Sequence, residues 1–128
     1  MDATGIYGLL ASESTLAGIF GDRIEPVELT IAQTMPALTY KVIGGSSEPT
    51  FDTSGFQRER IELNSYADTY LQADQGREAL LEFLNGYGGV LADGTVLQNV
   101  EFIQKLDFYE QAPRRFRCMV EFYFYFDF

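Results

Sequence analysis

The chain has 128 residues and a formal net charge of −10, with 9 Lys and Arg against 19 Asp and Glu. That is one domain's worth of sequence, residues 1–128, and its 46% apolar and 15% aromatic content supplies a core and argues against intrinsic disorder. The acid excess argues against a protein that reads nucleic acid or docks on an anionic membrane, and the absence of histidine removes the usual neutral-pH acid/base and the commonest metal ligand.

In chain order, Ile6, Leu9, Leu10, Leu16, Ala17 and Phe20 recur at helical spacing. Ser12 to Thr15 interrupts the pattern, so two short helices with a break near Ser12 are predicted, stopped by Gly21-Asp22. Residues 23–33 read as a connector with room for a short strand that Pro26 keeps away from the centre of a sheet. From Ala37 the period changes to two: Leu38, Tyr40 and Val42 oppose Thr39, Lys41 and Ile43. A second strand spans about 56–66, and residues 44–55 between the two are rich in Gly, Ser and Pro.

Asp68-Thr69 opens a helix with Thr69 and Gln72 in capping-box spacing. Its stripe is Tyr70, Ala73, Arg77 by its stem, Leu80, Leu81 and Leu84, and Gly86 closes it. Asp93-Gly94 marks a tight turn. Two long strands follow, about 98–110 and 114–126, and the last places Phe116, Cys118, Val120, Phe122, Phe124 and Phe126 on one face. The expected fold is α+β: an antiparallel β-sheet of two hairpins with helices packed on one face, in α-β-β-α-β-β order.

Targeting signals are not expected, because Met1-Asp2 opens with an acid and glycines interrupt the first apolar stretch. The apolar run at 122–126 is far shorter than the ~20 residues that span a bilayer. A soluble product is expected.

Few residues suggest catalysis. Histidine-based triads are excluded, and the single Cys118, set among core-facing aromatics, reads as a buried structural thiol that closes no internal disulfide. Gly86-Tyr87-Gly88-Gly89 follows a helix and lacks dinucleotide-loop spacing. No catalytic, cofactor or metal site is assigned, although a carboxylate pair formed across strands stays open.

Three features stand out. The last strand carries Met119, Tyr123 and Tyr125 on its second face, with Arg115 and Arg117 beside them; these five form a candidate subunit interface, against the alternative of a central strand covered by the chain's own loops. Asp74, Glu78 and Glu82 lie at i, i+4, i+8 on one helix face, either a solvated stripe or a negative lining that repels another polyanion. The loop with Glu48, Pro49, Thr50, Phe51 and Asp52, followed by Phe56, is either a floppy hairpin tip or a segment that orders against a partner.

The order IYGLL (6–10), IFGDRI (19–24), PALTYKVIGG (36–45), ELNSYADTY (62–70), the helix that follows, Asp107-Phe108-Tyr109 and the closing RRFRCMVEFYFYF resembles the tail-completion, or tail-to-head joining, proteins of long-tailed bacteriophages, prophages and gene transfer agents. The resemblance covers nearly the whole chain. It implies a structural virion protein without cofactor: a ring, typically a hexamer, at the head-proximal end of the tail. Such a ring ends tail-tube polymerisation, contacts the tail-tube protein and a head-completion or connector protein, and lets DNA pass without specific binding. It implies assembly in the host cytoplasm and residence at the tail-neck junction. Six copies would carry roughly −60 formal charges, which suits a repulsive passage. Two alternatives stand beside it: another neck component, such as a head-closure or connector protein, and a small-molecule-binding α+β domain.

Overall fold

The computed structural model describes residues 3–29, 34–48, 56–111 and 113–127. The elements are α1 (Ala3–Ser12), α2 (Ser14–Phe20), β1 (Ile24–Pro26), β2 (Ala37–Glu48), β3 (Phe56–Ala67), α3 (Tyr70–Leu84), β4 (Gly89–Val90), β5 (Val96–Gln111) and β6 (Arg114–Asp127). They build a mixed α+β fold with one curled six-stranded sheet, in the order β1-β2-β3-β6-β5-β4.

The break between the first two helices is a capping event. Glu13 has extended backbone, and its carboxylate accepts the Leu16 amide at 2.9 Å, so α2 starts afresh there. Gly21 ends α2 at φ 59°, where a side chain would be strained. Thr69 caps α3 by accepting the Gln72 amide at 3.2 Å, as the spacing predicts.

The expected α-β-β-α-β-β order is incomplete. Two short strands, β1 and β4, border the sheet, and β1 runs parallel to β2, so the sheet is mixed instead of wholly antiparallel. β1, with Pro26 at the sheet's margin, is the short strand for which residues 23–33 left room, whereas β4 is too short to show an alternating pattern and only its partner defines it.

Because directly paired residues point to the same side, the sheet's two faces can be read from the register. On one face Leu38, Tyr40, Ile61, Leu63, Val120, Phe122, Phe124 and Phe126 meet Ile6, Leu9 and Leu10 of α1, Leu16 and Phe20 of α2, and Leu80 and Leu84 of α3. Phe20, Phe122 and Phe124 are fully buried, and such side chains contribute about 1.5–3 kcal/mol each. Ala17 and Tyr70, placed on the predicted helical stripes, face solvent. Gly76 lets α3 settle: a Cβ there would lie 2.3 Å from Ser65 Oγ and 2.8 Å from the Phe20 ring.

Candidate functional site

The opposite, open face of the sheet carries a connected polar layer. Asn64 donates to Thr39 Oγ1 (3.2 Å) and Glu62 (2.9 Å), and it accepts from Arg117 at 2.9 Å. Lys41 pairs with Glu62 at 3.5 Å, Arg60 with Glu121, and Arg115 with Glu110 at 2.5 Å. Aromatic rings interleave with these cations: Arg58 lies over Tyr123, Arg115 over Tyr66 and Arg117 over Phe108, at 4.4, 4.7 and 4.0 Å. Thr39, Asn64 and Glu121 are thereby buried with their polar groups paired.

These contacts place the five residues predicted as a subunit interface. β6 lies between β3 and β5, so both its edges are paired. Met119 is 3% exposed, while Arg115, Arg117, Tyr123 and Tyr125 are half-buried in the open face. The last strand is therefore a central strand; on its second face Arg58 of β3 lies over Tyr123, and its own Arg115 and Arg117 reach Tyr66 of β3 and Phe108 of β5.

The predicted acidic stripe lies on α3. Asp74 is held by Arg77 at 2.7 Å, Glu78 reaches Lys105 at 3.3 Å, and Glu82 is exposed. Arg77 does more than pack its stem. It is 3% exposed, and its guanidinium also bonds Asp107 Oδ1 at 2.5 Å and the Leu106 carbonyl at 3.1 Å. Burial opposes its charge, but Asp74 and Asp107 outweigh that and hold it protonated more firmly than an ordinary arginine. Asp107, partly desolvated but bonded by Arg77 and by the Tyr70 hydroxyl at 2.9 Å, is held below the usual carboxylate range. Beside this clamp, burial pushes the Cys118 thiol up to about 11, in keeping with a structural cysteine.

Of the predicted contact loop, Glu48 ends β2 and Phe56 opens β3, paired in register; Pro49, Thr50, Phe51 and Asp52 lie outside the described residues. The strand expected at about 98–110 is β5, but sequence reasoning missed its partly uncovered outer edge. Beyond Val100 it runs along the sheet's edge with Phe102, Leu106, Phe108 and Tyr109 exposed. The signal was available: from Phe102 to Tyr109 apolar residues appear on both faces without a clean period. A cleft of about 520 Å³ opens at the β5–β6 turn, lined by Asp68, Tyr109, Arg114, Arg115 and Phe116. Among the described residues no group of three or more acidic or cysteine side chains is arranged to hold a metal ion.

Packed aromatics and arginines beside a strand whose outer edge is only partly covered are features of surfaces through which proteins bind one another. The family model for the tail completion protein gp17 matches residues 4–127. This chain belongs to that family. Tail completion proteins of the gp17 family are structural phage tail proteins. Among solved structures, a chain from the virion of a native gene transfer agent particle is similar, with a TM-score of 0.71 and 16% identity over 97% of this chain and 92% of that one. At that identity the likeness concerns the fold, which the two share from end to end. No curated protein matches the sequence.

Proposed function

We propose that this tail completion protein forms a ring, typically a hexamer, at the head-proximal end of a long phage tail. There it ends polymerisation of the tail tube and offers the surface on which the filled head docks. The observation that carries this reading is the family match over residues 4–127, nearly the whole chain. The tail-tube protein and a head-completion or connector protein are its partners, DNA passes without specific binding, and the finished ring resides at the neck of the virion after assembly in the host cytoplasm.

Each candidate surface takes a role in that ring. Asp74, Glu78 and Glu82 line the passage with negative charge, which repels the DNA backbone. Glu48, Pro49, Thr50, Phe51, Asp52 and Phe56 contact the tube. The open-face residues Arg115, Arg117, Met119, Tyr123 and Tyr125 add contacts between subunits, since arginine and tyrosine are over-represented where interfaces hold their energy.

Electron microscopy of particles assembled without this chain tests the reading. Tail tubes of uncontrolled length are expected. Tubes of normal length that merely lack heads would reject termination and favour a head-closure role.

A further inference from the structure

The sheet ends in two edges that the chain covers only in part. β1 pairs with β2 at Leu38, Thr39 and Tyr40, and the Val27 amide adds one bond to the Tyr40 carbonyl. Along 41–48 the outer edge of β2 has no ladder partner among the described residues. On the far side β4 covers β5 only at Val96 and Leu97. The Gly86 amide on the Val100 carbonyl and the Phe102 amide on Asn85 extend that cover to Phe102. Residues 103–111 then have no outer ladder partner among the described residues. That stretch is about 30 Å long, since a strand rises ~3.4 Å per residue, and within it the Leu106 carbonyl already accepts from Arg77.

A soluble protein protects such an edge with lysines, prolines or short length. Here the free stretch of β5 has one lysine, Lys105, and exposes Leu106, Phe108 and Tyr109; the free stretch of β2 exposes Val42 and Ile43.

The two edges fit one another. β2, β3, β6 and β5 alternate in direction, so β2 and β5 run oppositely. A second copy set beside the first in the same orientation therefore brings its β2 antiparallel to the first copy's β5. The free stretches also lie at opposite ends of the sheet: followed through β6 and β3, residues 104–108 sit at the level of Lys41 to Ala37 and 109–111 lie beyond Ala37, away from residues 42–48. An edge-to-edge join is thus staggered, and stagger is what closing a sheet around an axis requires.

We propose that residues 103–111 of one copy receive residues 41–48 of the next as an added antiparallel strand. The same head-to-tail contact repeats until the assembly closes, because each chain carries both halves of it. This deepens the ring reading above and rests on it.

Two variants test it, one with Leu106→Glu and Phe108→Glu on β5, the other with Val42→Glu and Ile43→Glu on β2. Phe108→Glu faces Arg117 in register, so the β5 variant retains a favourable cross-strand pair. By native mass spectrometry the unaltered chain forms closed rings, each variant alone stays monomeric, and an equimolar mixture gives one-to-one dimers and nothing larger, because each variant keeps one working edge. Rings from either variant alone, or a mixture that stays monomeric, overturn the edge contact. An unaltered chain that stays monomeric even with purified tail tubes overturns the ring itself. If a variant misfolds, hydrogen exchange on the unaltered chain decides: amides within 103–111 slow at least tenfold between monomer and ring, and equal rates in the two states reject the contact.

Discussion

Arg77 Nη1 on α3 and Asp107 Oδ1 on β5 lie 2.5 Å apart, joining the helix layer to the outermost long strand. The pair is asymmetric, because Arg77 is buried while the Asp107 side chain is half exposed. Removing the acids therefore costs more than removing the base. Asp74→Asn with Asp107→Asn strands a buried guanidinium and is expected to lower stability by about 3 kcal/mol, measured by urea unfolding. Arg77→Met leaves carboxylates that water reaches, and a smaller loss is expected. Equal losses would show that the guanidinium's burial is not what makes the pair matter.

Acid should weaken the same clamp. The folded-state pKa of Asp107 is depressed, so its contribution is complete above the unfolded value of about 3.9 and is lost as pH falls through the lower folded value. Glu59 has the opposite sign. Burial raises its pKa, and Oε2 has no hydrogen-bond partner among the described residues. The penalty on its charge is absent below about pH 4 and grows as pH rises through the raised value. Glu59→Gln is expected to raise the melting temperature at pH 7 and to leave it unchanged near pH 4. A gain of the same size at both pH values would refute that assignment.

Gly76→Ala drives a methyl against Ser65 Oγ and the Phe20 ring, both buried. Overpacking of this kind costs about 1–3 kcal/mol, and thermal unfolding reads it directly. Ser65→Ala is the companion, because Ser65 Oγ is buried without a hydrogen-bond partner among the described residues. Its removal is expected to be neutral or to stabilise by up to about 1 kcal/mol. It should also recover part of the loss in the double variant.

The acidic stripe separates into a structural and an exposed part. Asp74 belongs to the Arg77 clamp, so Glu78→Gln with Glu82→Gln is the clean variant. Folding and tail length should be normal, while DNA ejection slows and infectivity falls. Particles with unchanged ejection rates would exclude these two residues from the passage.

Deleting residues 49–53 leaves Ser54-Gly55 between Glu48 and Phe56, a length that closes antiparallel hairpins. The ladder from Glu48–Phe56 inward is expected to persist. Tails capped by this variant should overgrow, and tails of ordinary length in micrographs would remove the loop from the tube contact.

Features set by neighbours in sequence are legible in the sequence itself. The alternation that buries Cys118, Val120, Phe122, Phe124 and Phe126, the Thr69 cap and the Asp93-Gly94 turn each depend on a few consecutive residues. What pairs with what was not legible. The alternation of β6 left open whether it lay centrally, and only the pairing with β3 on its other side decides that and puts β5 nearer the margin. Arg77 looked like a stem on an apolar stripe, since its acceptor on β5 lies 30 residues further on. Ladder order and long-range ion pairs come from the packing of whole elements, and local periodicity does not encode them.

Cys118 is the chain's one thiol, buried on β6 and raised to about 11. At pH 8 only about one molecule in a thousand carries the nucleophilic thiolate, and that one is shielded from solvent. The natural chain is thus already a silent background for fluorophores or spin labels: a cysteine introduced at any exposed position would take the reagent alone.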